Sequence, residues 1–245
     1  MPSGKTVVVV NSSGRQSASF IRVASAVGWT VRAQMHECAG IVAEELSTLP
    51  NVTIIEGDLD DQSVIDRLFV SPPAIDLAFI NTTHWGDEVQ IGRALALAAK
   101  RAHVSHYIYS SMPDHATFEG HNWRALPLWS SKFAVENYVR AIELPATFVY
   151  CGIYHNNFTS LPYPLFRMEL LPGGQGFEWC APFHESDPLP WLDAEHDVGP
   201  AVLQLFKEGP RKWIGKRYVL FQFTVAKSFP VVSGNDACNQ TIFVI

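Results

Sequence analysis

The stretch from Thr6 to Ser17, T-V-V-V-V-N-S-S-G-R-Q-S, constrains the fold more than any other part of the chain. A continuous apolar run of this length is typical of a strand buried on both faces of a parallel sheet. The polar turn that follows leads into a helical pattern, which is where a Rossmann-like domain carries its phosphate loop. Gly14 stands at the middle glycine of a G-x-x-G-x-x-G pattern, while Asn11 and Ser17 replace the other two. The pattern predicts a loop that binds a dinucleotide but does not by itself predict hydride chemistry.

Both replacements are compatible with such a loop. Asn is among the few residues other than Gly that tolerate a positive φ, so Asn11 can still make the turn. Ser17 is small enough for a helix to pack closely on the strand, and Gly14 keeps the position where backbone must approach a pyrophosphate. An ordinary strand-to-helix turn remains the alternative, because a lone motif of this kind has low specificity.

The composition fits one large α/β domain, since the 245 residues are 47% hydrophobic and 17% charged. The formal net charge of −6 and the lack of a Lys/Arg stripe argue against direct nucleic-acid binding. No apolar run is long enough to cross a bilayer, and the N-terminal residues lack a secretory signal pattern. Four scattered cysteines without a C-x-x-C pair fit reduced thiols rather than a zinc site. We therefore expect an intracellular protein without a metal site.

Strand and helix patterns alternate along the first 150 residues and predict a doubly wound parallel sheet. After the first strand, the predicted strands are 30–34, 52–55, 77–80, 106–109 and 146–150, and the predicted helices are 16–27, 41–49, 63–69, 87–102, 132–142 and 198–208. Pro- and aromatic-rich sequence then interrupts this rhythm. We predict a nucleotide-binding domain at 1–150, a smaller substrate or partner region at 151–223 and a divergent tail at 224–245.

Polar residues follow the carboxyl ends of five predicted strands, where ligands of a doubly wound sheet bind. The cofactor-binding set predicted at these ends is Asn11, Ser12, Ser13, Gly14, Arg15, Gln16, Arg32, Gln34, His36, Asp58, Leu59, Asn81, Thr82 and Thr83. No carboxylate ends the second strand, where one would hold the ribose hydroxyls and repel a 2′-phosphate. Arg15 and Arg32 can offset a 2′-phosphate, whereas Gln34 or His36 can bond an unphosphorylated ribose, so NAD and NADP both remain open. For His36 an exposed surface histidine, and for Asp58 ordinary turn chemistry, are the alternatives.

The proton relay of short-chain dehydrogenases is missing from the sequence. Those enzymes place a Tyr four residues before a Lys, so that the Tyr transfers a proton and the Lys lowers its pKa and holds the ribose. Here Leu128 stands four residues before Lys132, and Tyr107, Tyr109 and Tyr138 lie at other spacings. We predict no catalytic residue and interpret Lys132 as a ribose contact, with a solvated lysine near a helix start as the alternative.

An acidic segment, D-A-E-H-D at 193–197, precedes the last predicted helix. Ligands at successive positions around a turn rarely close on one ion, which argues against zinc. Carboxylates at a helix N-terminus are favoured by the helix dipole, and this explains Glu195 and Asp197 without any partner. The other interpretation is a docking patch for a basic partner, extended along the helix by Gln204 and Phe206.

Five longer segments carry a resemblance to a known family. They are N-S-S-G-R-Q at 11–16, I-N-T-T at 80–83, Y-I-Y-S-S-M-P-D at 107–114, N-N-F-T-S-L-P-Y-P at 156–164 and P-W-L-D-A-E-H-D at 190–197. Together they resemble the NmrA-like family of fungal regulators of nitrogen metabolite repression, which belongs to the atypical short-chain dehydrogenase/reductase superfamily. The resemblance runs from about residue 5 to about residue 223.

The resemblance implies a non-catalytic co-repressor of nitrogen metabolism genes that binds NAD or NADP, preferably oxidised, and a GATA-type zinc-finger activator. Lys132, Tyr154 and Asn157 complete the cofactor-binding set, and Glu195, Asp197, Gln204 and Phe206 form the activator-binding set. The resemblance places the protein in the nucleus and cytoplasm. Because residues 224–245 depart from the family pattern, we expect a small, truncated C-terminal α+β subdomain. An NADPH-dependent reductase of the isoflavone-reductase-like type that uses Lys132 and a sensor of the NADP/NADPH ratio remain the alternatives.

Overall fold

The computed structural model describes residues 4–70, 72–84, 86–117, 126–160, 168–174, 177–181, 187–225 and 241–244. Its strands are β1 (Thr6–Val9), β2 (Thr30–Met35), β3 (Val52–Glu56), β4 (Leu77–Ile80), β5 (His106–Ser111), β6 (Ala146–Cys151), β7 (Ile153–Tyr154), β8 (Met168–Leu170), β9 (Phe177–Ala181), β10 (Pro188–Leu192), β11 (Arg217–Leu220), β12 (Gln222–Val225) and β13 (Thr241–Val244). Its α-helices are α1 (Arg15–Ala26), α2 (Ile41–Thr48), α3 (Gln62–Val70), α4 (Glu88–Arg101), α5 (Pro127–Ala141), α6 (Asn157–Ser160), α7 (Val198–Glu208) and α8 (Pro210–Trp213), and a 3-10 turn spans His115–Thr117.

The chain divides into two compact units. The first comprises Met1–Cys151 together with Glu195–Leu220, and the second comprises Gly152–Ala194 together with Phe221–Ile245. Residues 195–220 thus return to the first unit, whereas the sequence pattern predicts a single smaller region from 151 to 223. They return because α7 packs on α1 and because β11 pairs in parallel with β6.

The first unit is built on a seven-stranded sheet in the order β11-β6-β5-β4-β1-β2-β3. Every neighbouring pair in this sheet is parallel. The order reverses beside β1, because β2 and β3 follow it on one side and β4 to β6 on the other. That reversal creates a crevice between the carboxyl ends of β1 and β4, which is where doubly wound sheets bind ligands. The Rossmann-like fold predicted from the sequence is confirmed.

Burial explains why the central strands read as continuous apolar runs. Val7, Val8 and Val9 of β1 are wholly inaccessible to solvent. Because both faces of this strand are buried, apolar residues do not alternate with polar ones along it. Helices α4 and α5 pack together closely at Gly92, where an added Cβ would lie 2.5 Å from a side-chain carbon of Val135. This close approach brings the N-terminal part of α4 next to α5 at the edge of the sheet that carries the site.

Two helix starts determine where site residues lie. Asp87 is the N-cap of α4 as predicted, and its carboxylate accepts a hydrogen bond from the Gln90 backbone N–H at 3.0 Å. The predicted start of α5 at Lys132 is wrong, because the helix begins at Pro127, whose fixed φ suits the first helical position. Lys132 therefore lies in the second turn of α5.

The second unit contains two small sheets and the short helix α6. In one sheet β10 pairs in parallel with β7 and antiparallel with β12. In the other, β9 pairs antiparallel with both β8 and β13. Across the described ranges, no helix combines the length and apolar character needed to span a membrane.

Candidate functional site

The turn after β1 brings the start of α1 up to the end of the strand. Asn11 has a φ of 51°, in the left-handed region that a turn glycine would otherwise occupy, and its carbonyl accepts from the Gly14 N–H at 3.0 Å. A Cβ added at Gly14 would lie 2.9 Å from Nδ2 of Asn11, so the loop leaves no room for a side chain there. The Ser17 hydroxyl donates to the Val10 carbonyl at 2.8 Å and ties the first turn of α1 to β1. The result is a tight loop that leads directly into the N-terminus of α1, where helix N–H groups favour an anionic ligand.

Gln34 fixes the ends of three strands relative to one another. Its Oε1 accepts from the Asn11 N–H at 2.9 Å, its carbonyl accepts from the Ser12 N–H at 2.8 Å, and its Nε2 donates to the Gly57 carbonyl at 2.8 Å. The side chain is 3% exposed. Gln34 therefore uses both ends of its amide group on the backbone, and it shapes the site rather than presenting a group that is ready for a ribose.

A cleft of about 650 Å³ opens at the carboxyl ends of β1 to β4. It is lined by Asn11, Ser13, Gln34, His36, Asp58, Leu59, Asp60, Asn81, Thr83, Gly86 and Ile91. Its volume lies in the range typical of ligand and cofactor pockets. Most of the lining residues belong to the predicted set. Asp60 was missed because it lies four residues past the end of β3, and Gly86 and Ile91 because they lie six and eleven residues past the end of β4.

The charged lining of this cleft is predominantly acidic. His36 Nδ1 is hydrogen-bonded to a carboxylate oxygen of Asp58, and both side chains are more than half exposed. Asp60 adds a second carboxylate to the same wall. An imidazole held by a carboxylate can donate or accept at a ribose hydroxyl, whereas two neighbouring carboxylates repel a 2′-phosphate.

Arg32 does not reach the cleft, contrary to the role predicted from its position in the second strand. Its guanidinium donates to the carbonyl oxygens of Leu68 at 2.9 Å and Pro73 at 2.8 Å, and the residue is 5% exposed. The physical reason is its depth in the strand. Arg32 lies two residues before Gln34 on the same face of β2, where α3 and the loop after it cover the side chain.

The remaining loop residues of the predicted set divide between buried and paired positions. Ser12 and Gln16 are buried. Arg15 extends from the first turn of α1 to Glu195, with its Nε 3.2 Å from a carboxylate oxygen. A residue predicted to hold the cofactor therefore contacts one predicted to bind the activator. The second unit holds two further predicted cofactor contacts, Tyr154 at the end of β7 and Asn157 at the start of α6.

Lys132 projects from α5 to the ends of β4 and β5. Its ammonium donates to the Thr82 carbonyl at 2.6 Å, to Asn81 Oδ1 at 3.4 Å and to the Ser110 carbonyl at 3.4 Å. It also forms an ion pair with Glu88, whose nearer carboxylate oxygen is 3.1 Å away. Lys132 is thus a partly buried cation, with its side chain 17% exposed, that is bound by the chain itself, and the alternative of a solvated surface lysine is wrong.

Glu88 is a further residue of the site region that sequence reasoning missed. It is 4% exposed and accepts hydrogen bonds from the hydroxyls of Thr82, at 2.7 Å, and Ser131. Burial alone would raise the pKa of Glu88, but the Lys132 ammonium and the two hydroxyl groups outweigh burial and hold that pKa below its usual value. In the sequence, Glu88 is indistinguishable from an ordinary acidic residue in the first turn of a helix.

None of the tyrosines considered from the sequence stands where a proton relay needs one. Leu128 lies one helical turn before Lys132, and its half-exposed aliphatic side chain cannot transfer a proton. Tyr107 and Tyr109 are buried in β5, and burial raises both of their pKa values well above normal. The Tyr109 hydroxyl is bonded to Thr82 Oγ1 at 2.8 Å. Tyr138 lies on α5 under the guanidinium of Arg93.

The predicted activator-binding set separates into exposed and buried members. Glu195, Asp197 and Gln204 are exposed, but Phe206 is only 6% exposed. The Phe206 ring packs against the rings of Phe20, Trp29 and His106, with centroid distances of 5.6, 6.2 and 5.3 Å. Phe206 belongs to the core between α7 and α1 and not to an exposed patch, because it lies on the apolar face of α7. Within the described ranges, no three His, Cys, Asp or Glu side chains are grouped as metal ligands.

The chain matches the family model described as the NmrA-like family over residues 3–232. It is 61% identical over 241 residues to the nitrogen metabolite repression protein nmrA of Emericella nidulans, with 97% of this chain and 67% of that protein covered. It is 50% identical over 258 residues to the nitrogen metabolite repression protein nmr of Neurospora crassa, with 96% of this chain covered. The chain spans 51% of the length of the Neurospora protein.

Solved structures agree with these relatives. Crystal structures of NmrA, a negative transcriptional regulator, in complex with NAD and with NADP superpose with a TM-score of 0.85 at 58% identity. They cover 91% of this chain and 68% of the NmrA chain. A short-chain dehydrogenase/reductase from Veillonella parvula, with a TM-score of 0.62 at 13% identity, shares the fold alone. By its sequence and its structure, the chain belongs to the NmrA-like family.

Proposed function

We propose that this protein is a non-catalytic, NAD(P)-binding negative regulator of nitrogen metabolism genes that acts by binding a GATA-type zinc-finger activator. The observation that carries the proposal is the cleft of about 650 Å³ at the switch point of the sheet. Leu128, four residues before Lys132, supports the non-catalytic part. Relatives named as nitrogen metabolite repression proteins support the regulatory role. The nucleus and cytoplasm are the proposed locations.

The residues present fit a pyridine dinucleotide. Gly14 is the N-cap of α1, and backbone N–H groups at such a helix start favour a pyrophosphate. Asn11 and Ser13 would hold the phosphates, His36 and Asp58 a ribose, and Asn81 and Thr83 the opposite wall. When bound, the cofactor would supply a ring that can accept or donate hydride, but Leu128, four residues before Lys132, cannot relay a proton to it.

The acidic lining favours the oxidised form of the ligand. A reduced dinucleotide carries one more negative charge than its oxidised form, and a 2′-phosphate adds further negative charge. Asp58 and Asp60 oppose both additions, and His36 is the basic side chain among the lining residues. We therefore propose that oxidised NAD binds more tightly than NADH, and that NADP binds through Arg15 if its 2′-phosphate displaces Glu195.

A loop-charge pair of variants tests nucleotide binding. Ser13 is an exposed residue that lines the cleft beside Gly14, so Ser13→Glu adds a carboxylate next to the proposed pyrophosphate without disturbing the core. We expect Ser13→Glu to weaken NAD binding about tenfold or more in a calorimetric titration, because like charges at such a contact cost several kcal/mol. In Ser13→Gln the new side chain has nearly the size of Glu but no charge, so this variant should bind NAD almost as tightly as the parent. Equal affinity in both variants would place the phosphates elsewhere.

The activator-binding surface is proposed at the exposed residues Glu195, Asp197 and Gln204. A zinc-finger DNA-binding domain is basic, which complements the acidic segment before α7. Asp197→Asn should lower affinity for a purified GATA-type zinc finger by about two- to fivefold, since an exposed charge pair is worth about 0.2–1 kcal/mol. Glu44→Gln removes an exposed carboxylate from α2 and serves as the charge-matched control. Absence of binding by the parent protein, or equal losses in both variants, would refute this surface.

The reductase alternative is tested with the same protein. Absorbance of the reduced nicotinamide is followed with phenolic and quinone substrates, and the proposal predicts no turnover above a sample without protein. Turnover that Lys132→Ala abolishes would instead establish the reductase. The sensor alternative requires unequal affinity of oxidised and reduced ligand for two states of the protein. It predicts different zinc-finger affinities in the presence of NADP and NADPH.

A further inference from the structure

One wall of the cleft is formed by the segment that connects β4 to α4. Asn81, Thr83 and Gly86 line the cleft from this segment, and Ile91 lines it from the first turn of α4. The shape of that wall therefore depends on what holds the segment in place. Two groups do so, the partly buried Lys132 on α5 and the buried Glu88 at the first position of α4.

The Lys132 ammonium is saturated by acceptors of the chain itself. An ammonium has three N–H donors, and Thr82, Asn81, Ser110 and Glu88 together place more acceptors than that within hydrogen-bonding distance. The shortest bond, 2.6 Å, goes to the Thr82 backbone carbonyl. The cation is thus committed to fixing the end of β4, and a ligand could bind it directly only by displacing one of these partners.

Glu88 is the anionic partner of Lys132 and bonds to three neighbouring side chains. Its carboxylate accepts from Ser131 and pairs with Lys132, both on α5, and accepts from Thr82 at the end of β4. Thr82 Oγ1 in turn accepts from the Tyr109 hydroxyl at 2.8 Å. Burial lowers the pKa of Lys132, and Glu88 is the group that counteracts this effect. One carboxylate therefore connects α4, α5 and the end of β4.

We infer that the Lys132–Glu88 pair is a positioning device for the β4–α4 wall and that Glu88 sets dinucleotide affinity without contacting the ligand. The inference rests on the proposed nucleotide binding and assigns Lys132 a different task from a simple ribose contact. Lys132, which stands at the relay spacing, thereby holds the wall in place.

Removal of one partner leaves a buried charge or a buried acceptor without its counterpart, whereas removal of both does not. The two single variants Glu88→Gln and Lys132→Met and their combination therefore form a diagnostic cycle. Glu88→Gln is nearly isosteric and keeps an oxygen that can accept from Thr82. We expect each single change to weaken NAD binding about 3- to 30-fold, the range known for residues that act on a ligand without touching it. The ligand-free Tm should fall by about 6–20 °C.

The double variant should lose much less than the sum of the two single losses in both affinity and Tm. Glu136→Gln is the matched control. Glu136, like Glu88, is a buried carboxylate, but it lies on α5 and pairs with Arg140 and Arg217. It should lower the Tm while leaving NAD affinity within about twofold of the parent, since it does not contact the cleft wall.

Two results would overturn the inference. If Lys132→Met weakens NAD binding and Glu88→Gln does not, then Lys132 is an ordinary ligand contact. If Glu136→Gln weakens binding as much as Glu88→Gln, then the loss reflects general destabilisation. Should neither single variant fold, a double variant that folds supports the device, and one that stays unfolded contradicts it. Failure of the parent to bind NAD would refute the proposed nucleotide binding, while the Tm cycle would still report on the pair.

Discussion

Truncation of Phe206 tests whether its ring belongs to the core or to the activator-binding surface. The residue is 6% exposed, and its ring packs edge-on or tilted against Phe20, Trp29 and His106. Removing a buried Phe side chain costs about 3–5 kcal/mol, because apolar area is lost and a cavity stays behind. Against a total stability of about 5–15 kcal/mol, this is a large fraction. Phe206→Ala should therefore lower the Tm by roughly 6–20 °C.

Urea denaturation followed by tryptophan fluorescence measures this loss, and Trp29 reports on the ring directly because the two rings are 6.2 Å apart. Phe206→Leu keeps most of the volume and should give an intermediate loss. Gln204→Ala, on the exposed side of the same helix, should change stability by less than about 0.5 kcal/mol and weaken zinc-finger binding instead. A Phe206→Ala protein within about 1 kcal/mol of the parent that no longer binds the zinc finger would refute the core assignment.

Three further predictions follow from buried or half-buried groups. Burial lowers the pKa of His106 to about 4 from its usual 6.5, so stability should be constant above pH 6.5 and fall as the pH drops towards 4, where the unfolded chain takes up the proton first. Denaturation midpoints of the parent and His106→Gln across this range check it, and an unchanged slope in the variant contradicts it. Arg32→Met should lower the free energy of unfolding by about 1–3 kcal/mol, because the carbonyls of Leu68 and Pro73 lose their donor. The ratio of NAD to NADP affinities should stay unchanged, and a shift of that ratio beyond threefold would place Arg32 at the ligand. Leu128→Tyr should create no reductase activity, because Lys132 is engaged by Thr82 and Glu88, and turnover of NADPH by this variant would disprove that reasoning.

The first-unit sheet was largely predictable because its strands are buried on both faces. A short continuous apolar run, such as V-V-V-V after Thr6 or L-A-F-I at 77–80, fits neither an amphipathic helix nor a half-buried strand, and therefore predicts a fully buried strand. Strand β4 was predicted to the residue, and α7 likewise, since Asp197 and Gly209 bracket its apolar periodicity. Strand β11 was missed, because R-Y-V-L is short, alternates weakly and pairs with a strand far away in the sequence.

The residues of the site could be predicted where their place at a strand end determines that they reach the cleft. They could not be predicted where the direction of the side chain determines it. Strand ends of a parallel sheet meet at one edge, so Asn11, His36 and Asn81 were assigned to one cleft from their positions alone. Arg32 was predicted to contact the cofactor but does not line the cleft. No role was predicted for Glu88, which is bonded to Thr82 and Lys132 beside the cleft. Charged residues are expected at the surface, and only the packing of α3 over β2 and of α5 against α4 buries these two with partners.

The return of residues 195–220 to the first unit matters for anyone who wishes to isolate the nucleotide-binding half. A fragment that stops near residue 150 would lack both α7 and β11, leaving the aromatic rings of Phe20 and Trp29 uncovered and β6 as a bare sheet edge. Such a piece invites aggregation at that edge. A self-sufficient half must instead join the first 151 residues to 195–220 through an engineered connector in place of the intervening segment.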